Sequence, residues 1–308
     1  MEIALQFVLL ALGFVMLGKG ADWFVEGAAG IAMRFGIPQL VIGLTIVAMG
    51  TSAPEAAVSI AAAVKGNADI TIGNIVGSNI LNILVILGLA ASIVPIVVAR
   101  STVRIEIPFM IAVTALLFYQ GRDGSISLAD GGVLMVAFAA YMMYLYTMAM
   151  KSNVDSDLEE PGLPLGRCLL GAVGGLALII AGSNVTVGAA TSIATYAGLS
   201  ERFIGLTIVA LGTSLPELFT SVAAARRGNA DIAIGNIVGS NIFNILFVVG
   251  LSSLIIDIPF ASAFNFDTYV ALGAAVLLLL CVLRTQKLQR WAGALMLVCY
   301  AAYLGYIL

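Results

Sequence analysis

Residues 43–55 are GLTIVAMGTSAPE, and residues 205–217 are GLTIVALGTSLPE. A second block, GNIVGSNILN at residues 73–82, returns as GNIVGSNIFN at residues 235–244. The offset is 162 residues in both blocks, and 32 of the 42 positions that begin at residue 43 are identical without a gap. The chain therefore contains an internal repeat, which concentrates carboxylates, hydroxyls, amides and prolines inside apolar segments.

The composition excludes an ordinary soluble fold. Of the 308 residues, 61% are hydrophobic and only 10% are charged, and the mean hydropathy is +1.09. Apolar runs near the length that crosses about 30 Å of hydrocarbon recur along the chain. These runs do not alternate in polarity as the strands of a membrane β-barrel do. The sequence therefore predicts an all-α polytopic membrane protein.

Glycines, prolines and charges divide each half into five membrane segments. They are predicted at residues 3–33, 38–64, 70–97, 105–120 and 127–149, then at 166–197, 202–225, 231–256, 266–284 and 289–307. Because five is an odd number, two similar halves in one chain must have opposite orientations. We therefore predict about ten transmembrane helices as two inverted five-helix repeats.

The predicted boundaries place the first repeat at residues 1–150 and the second at residues 163–308. Between them, residues 151–162 form an acidic linker that contains the run DSDLEEP. This run could bind a regulatory calcium ion, but it lacks a glycine-turned loop with ligand spacing. A solvated connector is the better interpretation.

Basic residues set the predicted orientation. With the N-terminus outside, the inward loops collect Arg34, Arg100, Arg104, Lys151, Arg167, Arg226, Arg227, Arg284, Lys287 and Arg290. The outward loops then collect only Lys65, Arg122 and Arg202. Because cytoplasmic loops carry an excess of lysine and arginine, this bias predicts that both termini are outside and the linker is inside.

A proline lies inside each copy of the first motif, at Pro54 and Pro216. Proline removes a backbone donor, so we expect the first of these helices to open near residues 48–51 and expose carbonyl oxygens. In lipid, such carbonyls must line a polar cavity or hold a cation. A kinked helix with a buried protonated glutamate is the alternative for one motif alone. Two copies that meet across a pseudo-two-fold axis favour an ion site.

The second motif places Ser78 and Asn82 four residues apart, hence on one helix face, and the repeat places Ser240 and Asn244 likewise. Its glycines also form small-xxx-small patterns, which allow helices to pack closely. We expect both roles. Four further asparagines either line the site or only bridge helices: Asn74, Asn79, Asn236 and Asn241.

Together the two halves offer only oxygen ligands. The candidate metal ligands are Glu55, Glu217, Thr51, Thr213, Ala48, Ala210, Ser52, Ser214, Ser78, Ser240, Asn82 and Asn244. The chain has no histidine, and its three cysteines are isolated. Oxygen ligands suit hard cations, and calcium accepts six to eight of them in a flexible cage, whereas magnesium demands a tighter octahedron. Two ionised glutamates would balance one divalent ion.

Lys19, Asp22 and Glu26 are further charges within the first predicted segment. Lys19 and Asp22 are three residues apart, so a structural salt bridge between them is expected.

These paired motifs closely resemble those of the cation/calcium antiporter superfamily and, within it, the prokaryotic sodium/calcium exchanger family, over essentially the full length. The resemblance implies antiport of sodium against calcium by alternating access at midmembrane. It makes Glu55 and Glu217 the central calcium ligands, with the backbone oxygens of Thr51 and Thr213. The implied sodium ligands are Ala48, Ser52, Ser78, Ala210, Ser214 and Ser240, while Asn82 and Asn244 line the middle position.

One position departs from some relatives. Potassium-dependent members carry aspartate where this chain has Asn244, so potassium coupling is not expected. A proton/calcium exchanger and a potassium-dependent exchanger remain the alternatives. A channel or a hydrolase is disfavoured, because no selectivity-filter repeat is present and no histidine or lysine base adjoins Ser52 or Ser214.

The sequence therefore predicts a multi-pass protein of the cell membrane that is not an enzyme and has no cofactor. Its expected partners are calcium and sodium ions and the lipid bilayer, without nucleic acid, and a monomer is the expected state.

Overall fold

The computed structural model describes residues 2–151, 163–198 and 210–307. Its helices are α1 Glu2–Phe35, α2 Gln39–Thr51, α3 Ala53–Val64, α4 Ile70–Ile93, α5 Thr102–Asp123, α6 Leu128–Lys151, α7 Leu165–Tyr196, α8 Ala210–Thr213, α9 Leu215–Arg226, α10 Ala230–Ile255, α11 Ala263–Val282 and α12 Arg290–Ile307. Four two-residue strands connect them: β1 Ile96–Val97, β2 Ser125–Ile126, β3 Ile258–Pro259 and β4 Lys287–Leu288.

Eight helices of the described residues are long and apolar enough to cross a membrane, and α2 with α3 makes a ninth, bent span. The pair α8 and α9 is the repeat counterpart of that bent span. The start of its predicted segment, at residues 202–209, lies outside the described residues. The prediction of a polytopic helical membrane protein is confirmed. The predicted linker also falls almost wholly outside the described residues, so the repeat boundaries stay a prediction.

Two small antiparallel sheets reveal the inversion of the halves. β1 pairs with β4, and β2 pairs with β3. The 162-residue offset relates β1 to β3 and β2 to β4. Since β1 and β2 lie at opposite ends of α5, about 33 Å apart at 1.5 Å per residue, the two sheets lie on opposite sides of the bundle. The equivalent strands β1 and β3 therefore lie on opposite sides, which confirms the inverted repeat.

The second-motif helices α4 and α10 form the centre of the bundle. In their most apolar windows, 78% and 94% of the residues are buried, against 17% for α1. Their buried isoleucines include Ile72, Ile75 and Ile80 in α4 and the equivalents Ile234, Ile237 and Ile242 in α10. The polar residues of the second motif therefore lie within a buried apolar core.

Glycines allow α10 to pack directly on α2. A Cβ atom at Gly239 would lie 2.8 Å from the Cα and carbonyl oxygen of Leu44. A Cβ atom at Gly235 would lie 3.1 Å from the Cα of Gly43. These approaches, together with a π-helical turn at Gly43–Val47, bring the end of α2 against the polar face of α10.

An ion pair ties α1 to the end of α9. Arg227 Nε lies 3.3 Å from Asp22 Oδ1, and Arg227 Nη1 lies 3.2 Å from Glu26 Oε2. The expectation that Asp22 pairs with Lys19 is therefore wrong. The interhelical partner prevails because the guanidinium reaches both carboxylates at once.

Candidate cation site

The first motif breaks its helix at a serine. α2 ends at Thr51, Ser52 has φ −80° and ψ 6°, and α3 leaves at an angle of 51°. Pro54 lies in the first turn of α3, where its missing N–H group costs no hydrogen bond within α3 itself. In the second half, Ser214 has φ −91° and ψ 4° between α8 and α9. Both halves thus contain the same interrupted helix.

The break comes slightly later than expected. The carbonyl oxygen of Ala48 still accepts a hydrogen bond from the backbone N–H of Ser52 at 3.0 Å. It also lies 3.3 Å from Ser240 Oγ, which donates to it from α10. The expectation that the break frees the Ala48 carbonyl is wrong, because the helix opens only at Ser52. Its role as a ligand stays a prediction.

Proline withdraws the donor from the carbonyl four residues before it, which is Gly50 for Pro54 and Gly212 for Pro216. The Gly212 carbonyl accepts a hydrogen bond from Ser183 Oγ at 2.7 Å. In the second half, therefore, a side chain of α7 takes the place of the lost backbone donor.

The two glutamates are held crosswise by the serines of the opposite half. Ser52 Oγ donates to Glu217 Oε1 at 2.8 Å, and Ser214 Oγ donates to Glu55 Oε1 at 3.3 Å. Both glutamates are only 1% exposed. The crossed hydrogen bonds bring both helix breaks and both carboxylates into one buried cluster.

The threonines of the motif join this cluster. Thr51 Oγ1 donates to Asn236 Oδ1 at 3.0 Å or to backbone carbonyls one turn earlier in its helix. The side chain of Thr51 also approaches the carboxylate of Glu217, as that of Thr213 approaches Glu55. The backbone segments that contain Thr51 and Thr213 therefore lie beside the carboxylates of Glu217 and Glu55.

Asparagines from α4 and α10 form a network that fixes the orientation of each amide. Asn79 Nδ2 donates to the backbone oxygen of Asn241 at 3.1 Å, and Asn241 Nδ2 donates to that of Asn79 at 3.2 Å. Because a carbonyl only accepts, these amides must present Oδ1 on the other side. There Oδ1 of Asn241 accepts from Asn82 Nδ2 at 2.9 Å, and Oδ1 of Asn79 accepts from Asn244 Nδ2 at 3.1 Å. The nitrogens of Asn82 and Asn244 are thereby occupied, and their oxygens are left available.

Four buried oxygen atoms of the predicted ligands have no hydrogen-bond partner among the residues that the structure describes: Glu55 Oε2, Glu217 Oε2, Asn82 Oδ1 and Asn244 Oδ1. Buried polar atoms are nearly always paired, so each exception needs an explanation. These four belong to two symmetry-related pairs. Two carboxylate and two amide oxygens without donors are the ligands that a hard cation accepts.

The remaining predicted ligands lie on the same elements. Ser78 and Ser240 are buried, each one turn before the asparagine at which a π-helical segment begins, at Asn82–Leu87 and Asn244–Val249. Such π-helical turns occur frequently at functional sites. The backbone of Ala210 begins α8; its side chain lies outside the described part of the chain.

Two serines that the sequence interpretation missed support the site from behind. Asn74 Nδ2 donates to Ser59 Oγ at 2.9 Å and lies 3.3 Å from the backbone oxygen of Glu55. In the second half, Asn236 Nδ2 donates to Ser221 Oγ at 2.9 Å. Ser59 and Ser221 are identical residues at the 162-residue offset, and this identity is the sequence signal by which they could have been found. Asn74 and Asn236 thus bridge helices, as one of the two interpretations proposed.

No basic side chain neutralises the glutamates within the described ranges. The ion pairs found there both belong to Arg227, which binds Asp22 and Glu26 at the end of α9. Two buried carboxylates without a basic partner are costly unless a cation or proton accompanies them. The arrangement can therefore hold a positively charged substrate.

Comparisons with known proteins agree with this geometry. The family model described as sodium/calcium exchanger protein matches residues 5–147 and 168–308. The inner membrane protein YrbG of Escherichia coli (strain K12) is 38% identical over 94% of this chain and 92% of its own length. The sodium/calcium exchanger MaX1 of Methanosarcina acetivorans is 33% identical over 98% of both chains. A solved structure of the sodium-calcium exchanger NCX_Mj soaked with 2.5 mM Na+ and 0.1 mM Ca2+ has a TM-score of 0.86 at 34% identity and covers 98% of both chains.

Proposed function

Because the chain belongs to the sodium/calcium exchanger protein family, we propose that it exchanges sodium for calcium across the cell membrane by alternating access. At the coarser level, the chain is a cation/calcium antiporter, and its family consists of transporters rather than enzymes. The observation that carries the finer proposal is the set of four unpartnered oxygens at Glu55, Glu217, Asn82 and Asn244. They offer two negative charges and two dipoles to a dehydrated cation.

We assign the calcium position to the carboxylates of Glu55 and Glu217 with the backbone oxygens of Thr51 and Thr213. Two negative charges balance one divalent ion, and the cluster contains the flexible oxygen ligands that calcium accepts. The proposed sodium ligands are Ala48, Ser52, Ser78, Ala210, Ser214 and Ser240, with Asn82 and Asn244 lining the middle position.

The crossed serine–glutamate hydrogen bonds suggest how the two ions compete. Ser52 and Ser214 donate to the very carboxylates that would bind calcium. A calcium ion between the glutamates would therefore draw carboxylate charge away from the serines. Sodium ions, bound next to the serines, would share the same carboxylates. Competition for one pair of charges couples the two ions, as antiport requires.

The inverted repeat supports alternating access. In transporters of this kind, the site lies at the interface of two repeats near the bilayer midplane, and opposite movements open it to either side. Here both interrupted helices meet at that interface. The excess of basic residues in one set of loops supports an orientation with both termini outside, and the similarity to YrbG, an inner membrane protein, supports a plasma-membrane location. We propose a monomer as the transporting unit.

A proton/calcium exchanger is the second candidate, because two buried carboxylates that no described basic residue neutralises could also carry protons. One experiment separates the candidates. Purified protein in proteoliposomes receives external calcium while an outward gradient of sodium, potassium or protons is imposed separately. Calcium uptake driven by sodium alone supports the proposal. Uptake driven by the proton gradient without sodium would assign the second function, and a requirement for potassium on the calcium side would assign the potassium-dependent type.

A further inference from the structure

A groove lies between α1 and α9, away from the candidate cation site. Its volume is about 590 Å³. The rings of Phe14 and Phe219, whose centroids are 6.1 Å apart, line one end. The ion pair between Arg227 and Asp22 lies at the other end. Lys19 lines the groove between these two ends. The groove therefore has an apolar half and a charged half.

The charged half has more cations than the described carboxylates can pair. Arg227 takes both Asp22 and Glu26. Lys19 and Arg226, which also line the groove, are exposed, and neither forms a salt bridge within the described part of the chain. Exposed cations on a membrane helix are costly unless an anion or water accompanies them. Among the described residues, the groove thus presents two positive charges without a carboxylate partner.

The symmetry of the fold does not require these charges. At the 162-residue offset, Lys19 corresponds to Ala181, and Arg226 corresponds to Val64. The equivalent positions of the other half consequently lack both cations, whereas the residues of the candidate cation site are nearly identical in both halves. The charged groove is therefore a feature of one half of the repeat, and its lining shares no residue with the candidate cation site.

We propose that this groove binds an anionic phospholipid, whose headgroup contacts Lys19 and Arg226 and whose acyl chain lies along Phe14 and Phe219. Basic pockets between transmembrane helices recognise anionic headgroups in this way. A soluble phosphate would satisfy the cations but leave the apolar half empty. A bound lipid would join α1 to α9, which begins directly after the helix break at Ser214.

The chain provides its own probe. It has two tryptophans, and Trp23 is exposed four residues from Lys19, on the same face of α1. In a Trp291→Phe background, the protein is reconstituted in phosphatidylcholine vesicles. These contain the same low mole fraction of either brominated phosphatidylglycerol or brominated phosphatidylcholine, and quenching of Trp23 fluorescence is measured. We expect the anionic lipid to be enriched about fivefold at Trp23 relative to the zwitterionic lipid.

Three charge variants assign the effect. Lys19→Gln with Arg226→Gln should abolish the preference for the anionic lipid, and the charge-conserving pair Lys19→Arg with Arg226→Lys should retain it. The matched control, Arg284→Gln with Lys287→Gln, removes two basic residues outside the groove and should retain it. Equal quenching of the unaltered chain by both lipids would overturn the proposal. An equal loss of the preference in the Arg284→Gln, Lys287→Gln control would also overturn it. Reversal of the preference by added inorganic phosphate would overturn it too, because this result would indicate a site for a soluble anion.

Discussion

Asn79 and Asn241 hydrogen-bond to each other in both directions: each donates its side-chain amide to the backbone oxygen of the other, at 3.1 Å and 3.2 Å. The two residues are repeat equivalents. A reciprocal contact between equivalent residues places the pseudo-two-fold axis between them. The same pair orients the side-chain amides of Asn82 and Asn244. The two residues at the pseudo-two-fold axis therefore also determine which atoms of those amides face the candidate site.

Substitution of this pair tests the orienting role. Asn79→Ala and Asn241→Ala should each weaken calcium binding about tenfold, because each removes an acceptor that holds an opposite amide and a lost buried hydrogen bond costs about 1–3 kcal/mol. The double variant should lose less binding free energy for calcium than the sum of the losses in the two single variants, because the two residues act as a unit. Half-saturating calcium in sodium-driven uptake is the measurement. Asn67→Ala, at an exposed position, is the control, and strict additivity would contradict the prediction.

The glutamates should be jointly essential. Glu55→Gln and Glu217→Gln should each reduce calcium binding about 100-fold or more, because removing one charge from a buried ionic cluster costs about 3–5 kcal/mol. Calcium transport by purified, folded protein is measured. Glu106→Gln is the matched control: Glu106 is equally buried, but it accepts a hydrogen bond from Tyr144 outside the site. Near-normal transport by either site variant would refute the assignment.

Asn244 should set the potassium response. Sodium-driven calcium uptake by the unaltered chain should be indifferent to potassium on the calcium side. Asn244→Asp should acquire a potassium dependence, because a third carboxylate raises the local negative charge from two to three and favours an extra monovalent cation. Asn82→Asp places the same charge at the symmetry-related position as a comparison. A potassium requirement in the unaltered chain would contradict this prediction.

Equivalent loops should be labelled from opposite sides. Asp123 precedes β2 and Thr285 precedes β4, at the 162-residue offset, and both are exposed. In a variant without Cys168, Cys281 and Cys299, Asp123→Cys should react with an impermeant thiol reagent in intact cells. Thr285→Cys should react only after permeabilisation. The reversed pattern would place both termini inside, and equal labelling of both would contradict the inversion.

The contact between α10 and α2 should not tolerate a methyl group. A Cβ atom at Gly239 would lie 2.8 Å from the backbone of Leu44, so Gly239→Ala should destabilise the protein by about 1–3 kcal/mol. Gly273→Ala is the control, because nothing lies within 4 Å of a Cβ atom there and alanine favours helix. Thermal unfolding in detergent compares the two variants. A stabilised Gly239→Ala variant would show that the helices can separate without cost.

Much of the fold follows from the sequence because its signals are local or periodic. Apolar runs predict the spans, the 162-residue repeat predicts equivalent halves, and their odd number of segments predicts inversion. The prolines also predict the interrupted helices, although the opening at Ser52 comes after the expected residues because the Ala48 carbonyl keeps its backbone donor.

Residue types alone gave the candidate ligands Glu55, Glu217, Asn82 and Asn244, but not the orientation of their atoms. The sequence by itself thus determined the membrane class, the repeat and the chemical types of the candidate ligands. Only the tertiary structure decided that serines cross between the halves, that Asp22 pairs with Arg227 rather than Lys19, and which oxygens remain unpartnered. The physical reason is that hydropathy and repeats belong to the linear chain, whereas a hydrogen bond between residues some 160 positions apart depends on how whole helices pack.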